Sequence, residues 1–497
     1  VAQLERLRSK IRKRSLRAQI DKAIEAAAAL KETSKEDLAE THVPTHGFNA
    51  EGVLEQPLGE VTARLRVLGT ASTALEFVEP GGKVRKTAPA AVKREHPGEL
   101  KALKKTAKDV QQLLRTQRDR FERTYLEPRT WPFSDWRARF LDHPLVSPLA
   151  RRLIWHFQHG RKKALGISRD GTIFAGDDRP VPWIDDQTQV ELWHPLGCRP
   201  EVVSGWRDWL DRHEVTQPFK QAHREVYVLT DAERRTRTYS NRMAGHVLRQ
   251  HQFRALGESR GWQIPLVGTW DPGGDWIPTL HLPQHKLRVE LWLGTAGGGT
   301  SDRGVCLYVS TDQVRFYRAK GKEPIPLEDV PERVFSEVMR DVDLFVGVAS
   351  VGNDPAWLER GEQPELEARG ERFADYWKRF AFGELSQTAL TRREALGRLI
   401  PRLKIADRCT IAERFLTVRG ELRTYKIHLG SGNVLMEPND QYLCVVADFA
   451  ARRTEARRLF LPFEGDDLLS VILSKAFLLA DDAKIKDEVI LSQIRSR

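Results

Sequence analysis

The sequence predicts a mixed α+β protein of several domains, and three observations carry that prediction. At 497 residues the chain is too long for one ordinary hydrophobic core, so roughly two to four domains are expected. Strand-like runs come in clusters rather than in regular βαβ alternation, which weighs against a doubly wound sheet. A hydrophobic content of 40% and a charged content of 30% are those of a globular chain. The expected organisation is a basic N-terminal helical region with a small β-hairpin over 1–126, a mixed α+β core over 127–400, and a β-rich C-terminal module over 401–497 that ends in a helix.

Residues 1–30 place Leu4, Leu7 and Ile11, then Leu16, Ile20 and Ile24, at helical spacing. Residues 31–60 are polar and interrupted by Pro44, Gly47, Gly52, Pro57 and Gly59, which reads as mostly loop. Val61 to Lys86 is β-rich, with ARLRV and ALEFV as short strands and Pro80-Gly81-Gly82 turning into KVRK. A helix over 98–125 carries Leu100, Leu103, Ala107, Val110, Leu114 and Phe121 in a near-heptad stripe that skips Gln117. Such a stripe suits a partner helix or, more commonly, packing on its own domain.

Further on, DHPLVSPLARRLIWHF reads as helical beside Trp131, Trp136 and Trp155, and Arg169-Asp170-Gly171 reads as a turn. Leu287 to Leu293 is a strand that runs into Gly294-Thr295-Ala296-Gly297-Gly298-Gly299-Thr300. A phosphate-cradling loop needs a helix next, whereas VCLYV and VRFY are strands and no Walker lysine is present, so a hairpin connection is the better reading. Pro331 opens a helix to Met339, and VDLFVGVA reads as a buried strand. Tyr376, Trp377 and Phe380 fall in a helix over 369–383, and another helix covers 388–400. The C-terminal part reads as a hairpin of Phe415 to Val418 with Thr424 to Leu429, a Gly430-Ser431-Gly432-Asn433 turn, and a helix over 466–479.

The net charge of +11 is concentrated at one end: residues 1–126 carry 25 Lys and Arg against 17 Asp and Glu, leaving +3 for the rest. A basic arm can contact nucleic acid or an acidic partner, while its interleaved acids fit a solvated helix surface. No run of 18 apolar residues exists, so no membrane span is expected, and the basic N-terminus lacks the apolar centre of a signal peptide. Cys198, Cys306, Cys409 and Cys444 lie far apart without CxxC spacing, which suits reduced thiols in the cytoplasm and argues against a cysteine zinc site. Beginning at Val1, the chain is either a fragment of a longer protein or has an unusual start.

Gln217 to Trp262 is the densest run of polar functional groups beside clear structural signals. REVYVL (224–229) reads as a strand, Thr230-Asp231-Ala232-Glu233 as a capping box, and a longer helix is expected from Ser240, with Met243, Ala244, Val247, Leu248 and Leu256 near one face and stops at Gly257 and Gly261. The candidate ligand site comprises Gln217, Lys220, Gln221, Arg224, Glu225, Tyr239, Asn241, Arg242 and His246. Lys220, Arg224 and Arg242 near a helix start favour an anion; the commoner use of such residues is a buried polar network beside a solvated face. His223 has the chemistry of an acid or base, though a lone histidine beside a strand is more often simply packed. Asp185, Asp186 and His194 are near in sequence, but adjacent acids in a loop are usually solvated. No P-loop, GxSxG or HExxH occurs, and the pairs His42/His46, His156/His159, His246/His251 and His281/His285 lack a third ligand at a recognisable spacing. No catalytic residue, cofactor or metal is therefore assigned.

The segments QPFKQAHREVY (217–227), TYSNRMAGHVLRQHQF (238–253), DLFVGVASVGNDPAW (343–357) and YKIHLGSGNVLMEPNDQYLC (425–444) resemble the DUF4132 family, bacterial proteins also called MolR-like. DDQTQVELWHPL, IADRCTIAERFL and LLSVILSKAFLLADD extend the likeness, which runs from about Ala74 to the C-terminus. The resemblance implies a cytoplasmic scaffold or regulatory component in a multi-protein system. Its partners there would be a MoxR-type AAA+ ATPase, a von Willebrand A-like protein and a SWIM-type zinc protein. Larger members of the family carry a WGR domain, a module otherwise linked to poly-ADP-ribosylating and DNA-associated proteins; no Trp-Gly-Arg tripeptide occurs here. The resemblance supplies no catalytic residues. The two alternatives are a nucleic-acid-associated protein using the basic N-terminal region, and an enzyme with an anion site in 217–251.

Overall fold

A computed structural model describes residues 14–30, 33–268, 277–296, 299–301, 304–353, 357, 385, 387–438, 440–443, 445 and 466–495. The chain forms two compact units, one built mainly from 1–222 and one mainly from 223–497. Four sheets, all antiparallel in their pairings, lie among the described residues with helices between them, so the fold is mixed α+β and multidomain. Among the described residues no helix is long and apolar enough to cross a membrane.

Among the described residues of the first unit come helix α1 (Arg14–Leu30) and then helix α2 (Lys35–Thr41). The stretch expected to be loop thus holds α2 and also strand β1 (Val53–Leu58). Ser34 starts α2 by accepting the Asp37 amide at 2.9 Å, and Leu38 and Glu40 on it are buried. β1 gains its ladder from β2 (Val61–Leu68), and β3 (Ser72–Val78) and β4 (Val84–Arg85) complete a sheet of order β1-β2-β3-β4. A short α3 (Ala90–Glu95) leads to α4 (Pro97–Arg123).

The stripe on α4 packs internally: Leu100 and Leu103 join Leu58, Ala63 and Phe77 of the sheet, and Val110, Leu114 and Phe121 join a second cluster. The skipped position is buried too, because Gln117 Oε1 accepts Arg120 Nη1 at 3.2 Å, and Arg120 also donates to the Ala39 carbonyl at 3.0 Å. A second sheet has the order β5-β9-β6-β7-β8, from β5 (Thr130–Pro132), β6 (Trp155–His159), β7 (Lys162–Arg169), β8 (Thr172–Phe174) and β9 (Gln189–Leu192). The predicted helix DHPLVSPLARRLIWHF shrinks to one turn at Ser147–Ala150, since Trp155 begins β6. The apolar content of that stretch is used to bury Trp155 edge-on against Phe121 and Trp136, not to make a helical face. Helix α5 (Pro200–Arg212) adds Trp206, Trp209 and Leu210 to a smaller cluster.

Among the described residues the second unit holds two sheets. One has the path β12-β13-β14-β11-β15, with β10 also on β14, from β10 (Tyr239–Ser240), β11 (His246–Arg249), β12 (Thr279–Leu282), β13 (Leu287–Thr295), β14 (Tyr308–Arg318) and β15 (Ser350–Asn353). Its helices are α6 (Asp231–Thr236), α7 (Gln250–Ser259) and α8 (Glu332–Ala349). The helix expected from Ser240 is instead β10, a turn and β11, and only then α7, because both strands find edge partners on β14. Of the two expected stops, Gly257 lies inside α7 while Gly261 ends it. Gly261 takes φ +90°, and the Trp262 amide reaches back to the Gly257 carbonyl at 3.0 Å in a Schellman closure.

VDLFVGVA is the second half of α8 and not a strand. Val334, Val338, Val342, Phe345 and Ala349 form one buried stripe at helical spacing along its whole length. Thr295 lies at the end of β13, whose antiparallel pairing with β14 fits a hairpin connection; Gly297 and Gly298 are outside the described residues. So are Tyr376, Trp377, Phe380 and the helix expected around them.

The other sheet runs β16-β17-β18-β19-β20 over β16 (Cys409–Ile411), β17 (Phe415–Arg419), β18 (Thr424–His428), β19 (Val434–Met436) and β20 (Gln441–Leu443). Helices α9 (Gln387–Leu399), α10 (Asp467–Ala480) and α11 (Glu488–Arg495) accompany it. Leu416, Val418 and Ile427 of this sheet form a core with Leu469, Ile472, Ala476 and Leu479 of α10.

Candidate functional site

The polar residues singled out in the sequence sort into both units. Gln217, Lys220 and Gln221 fall in the first; Arg224, Glu225, Tyr239, Asn241, Arg242 and His246 fall in the second. In the first unit the two glutamines act as ties between backbone groups. Gln221 accepts the Ile154 amide at 2.8 Å and donates to the carbonyls of Ile154 (2.7 Å) and Trp193 (2.9 Å). Gln217 donates to Gln221 Oε1 at 2.8 Å and accepts the Ala222 amide at 3.0 Å. Both are fully buried, so each bond replaces one that water cannot supply. Lys220 is buried at 8% exposure, and His223, in the second unit, at 2%.

In the second unit REVYVL belongs to no strand and no helix among the described residues. Helix α8 takes the place of a strand neighbour and holds the segment through side chains. Arg224 forms a two-pronged pair with Glu337, with Nε–Oε1 at 2.7 Å and Nη2 on Oε2, both side chains at 1% exposure or less. The Tyr227 amide donates to Ser336 Oγ at 3.0 Å, its hydroxyl donates to Asp343 at 2.7 Å, and Arg340 reaches Glu225 at 3.1 Å. Ser336, Arg340 and Asp343 lie one turn apart on α8, with Glu337 beside them, so one polar face of the helix moors the whole segment. Burial, then the neighbouring Asp343 and Glu225 carboxylates, push the Tyr227 hydroxyl well above its ordinary pKa and keep it a donor.

The capping box at Thr230 forms as the sequence predicts: Glu233 accepts the Thr230 amide at 2.9 Å while Thr230 Oγ1 accepts the Glu233 amide. The same carboxylate, fully buried, also takes the Ser240 hydroxyl at 2.6 Å and the Arg242 guanidinium. Arg242 further donates to the Val228 carbonyl at 2.9 Å. The two arginines expected at an anion site are thus each bound to a buried internal carboxylate. Tyr239 stacks beneath Arg315, whose guanidinium also sits 4.0 Å from the Trp292 ring.

Glu337, Asp341, Asp343 and Arg260 escaped the sequence reading. Arg260 pairs with Asp341, and Trp262 Nε1 donates to the same carboxylate at 3.0 Å. Burial raises the Asp341 pKa, which Arg260 opposes. A usable signal existed: reading Glu332–Ala349 as one helix sets Glu337 and Asp341 one turn apart on a buried face.

Asn241 and His246 are the polar groups left over. Asn241 is 1% exposed, and neither Oδ1 nor Nδ2 has a hydrogen-bond partner among the described residues. His246 Nδ1 is likewise unpartnered among the described residues, and burial lowers the ring pKa to about 4. His246 backbone pairs with Asn353 of β15, and its amide donates to Thr311 Oγ1 at 3.0 Å.

The imidazole is neutral when folded and charges more readily when unfolded, so its contribution is complete above pH 6.5 and declines as pH falls towards 4. Stability should therefore drop by on the order of 2 kcal/mol between about pH 6.5 and 5 from this group. Urea titrations at stepped pH check this, and His246→Leu should flatten the slope in that window; an unchanged slope would show that burial does not set the ring's charge.

Residues 82–262 match the family model described as Domain of unknown function (DUF4132). Residues 389–494 match a separate model, Domain of unknown function (DUF7737), so the C-terminal module likened above to the first family has a family model of its own. The chain is 24% identical over 241 residues to Uncharacterized protein YehI of Escherichia coli strain K12, a match covering 46% of this chain. It spans only 20% of that relative's length. No solved structure matches the chain.

Proposed function

We propose that the chain is a scaffold or regulatory component that works through protein partners in the cytoplasm, in a multi-protein system of the kind that pairs a MoxR-type AAA+ ATPase with a von Willebrand A-like protein. One observation supports this reading over an anion-handling enzyme: Arg224 and Arg242, the most reactive-looking cations of the densest polar stretch, are bound to the buried carboxylates of Glu337 and Glu233. Groups committed in this way rigidify a framework. Rigid frameworks present surfaces, and the family resemblance supplies the class of partner.

The test is capture of the full chain from its native host after nuclease treatment. An AAA+ ATPase recovered in stoichiometric amount, and retained with the purified chain on gel filtration, is the expected outcome. Recovery of no stoichiometric protein overturns the reading.

A further inference from the structure

We propose that the solvent face of α4 binds the phosphate backbone of nucleic acid without reading its bases. Lys101, Lys104, Lys105, Lys108 and Arg115 are all exposed. Their spacings of three, four, seven and fourteen residues from Lys101 place them on one stripe of a helix turning about 100° per residue. The stripe runs about 21 Å along the axis. The opposite face, with Leu100, Leu103, Val110 and Leu114, is buried, so the stripe cannot roll inward without exposing core.

None of the five cations makes an ion pair with a described residue. Between residues 101 and 118 the single acid is Asp109, about 80° round the helix from Lys101. Part of the positive charge counted over 1–126 thus lies in one straight row that no described residue pairs.

The chemistry of the row selects its partner. Lysines are compact point charges that meet phosphate oxygens without a fixed geometry, and four of the five cations are lysine, which suits contact with a charged backbone and not the bidentate reading of one group. Protein interfaces are depleted in lysine and need buried aromatic or apolar anchors at their centre. The residues exposed within this row are Ala102 and Gln112, which provide none. The same lack of Trp, Phe or Leu argues against insertion into a lipid surface. A regularly charged polymer requires no anchor, because release of its condensed counterions drives binding. This surface goes beyond the scaffold reading and does not depend on it.

The experiment measures binding of the full chain to labelled duplexes of about 20 bp, DNA and RNA in separate arms, by fluorescence anisotropy across a salt series. With five phosphate contacts, affinity should fall about 500-fold between about 50 and 200 mM salt. The variant K101Q/K104Q/K105Q/K108Q, with one contact left, should bind far more weakly and lose only about 3-fold over that range. A charge-matched control at exposed lysines elsewhere, K162Q/K163Q/K320Q/K322Q, should keep the steep dependence. Circular dichroism and melting curves establish that both variants fold.

DNA and RNA binding alike supports backbone recognition, and binding by one alone identifies which backbone is used. Absence of duplex binding at low salt overturns the proposal, as does an unchanged salt slope in the α4 variant. Binding confined to poly-glutamate or phosphatidylserine vesicles overturns it too. The scaffold test uses nuclease-treated material and reads protein partners, so the two ideas fail separately.

Discussion

Glu337→Ala, with Arg224 left in place, is expected to cost about 3–5 kcal/mol of stability. Arg224 cannot shed its proton, and at zero side-chain exposure it cannot turn to water, so loss of the carboxylate leaves a buried charge without its Glu337 counterion. The cost should exceed that of an exposed pair such as Arg234–Glu328, where about 0–1 kcal/mol is typical. The reciprocal change Arg224→Ala should be similarly harmful. Replacing both by methionine should recover much of the loss, because the desolvation of two charges disappears with them.

Because the chain has two compact units, a single global midpoint would blur the effect. Hydrogen exchange at the Tyr227 amide and along Glu332–Ala349 reads it locally. Protection there that is unchanged in Glu337→Ala, or lost equally in the double methionine variant, would refute the mooring role.

Asp482→Ala should be nearly as damaging, at about 3 kcal/mol or more. Asp482 is fully buried. Its Oδ1 accepts the Glu421 amide at 2.7 Å, and its Oδ2 accepts the amides of Leu422 (2.9 Å) and Arg423 (3.1 Å) and the Tyr425 hydroxyl (2.8 Å). One carboxylate thereby accepts three consecutive amides of the β17–β18 turn, while the Gly420 amide closes on the Arg423 carbonyl at 2.9 Å. The turn approaches so closely that a Cβ at Gly420 would stand 2.2 Å from Asp482 Oδ2, which reserves that position for glycine.

Removing the acceptors leaves several donors unpaired at once. Asp482→Asn should also weaken the turn, since an amide N–H would then face backbone N–H groups. Thermal melts and protease sensitivity at 420–423 measure both variants. Tyr425→Phe on the Asp482→Ala background should add little, because the two share one network. A fully additive loss, or an Asp482→Ala protein with wild-type protease resistance, would remove Asp482 from this role.

The sequence by itself determined what short-range chemistry controls. The Thr230–Glu233 capping box, the buried stripe of α4, the hairpins of the first sheet, the Gly261 helix end and α10 are each set by residues within a few positions of one another, and each forms. The uneven charge was legible too, as a count.

Tertiary structure alone decided the rest. REVYVL has strand composition, but a segment becomes a strand only beside another strand, and here α8 stands in that place. VDLFVGVA looks the same whether a strand or a helix is buried on all sides, and only its continuity with the preceding turns of α8 makes it helical. Arg224 reads as a free cation until its partner, 113 residues further on, is brought against it. A guanidinium's chemistry depends on the carboxylate it meets, and that meeting is a property of the folded chain.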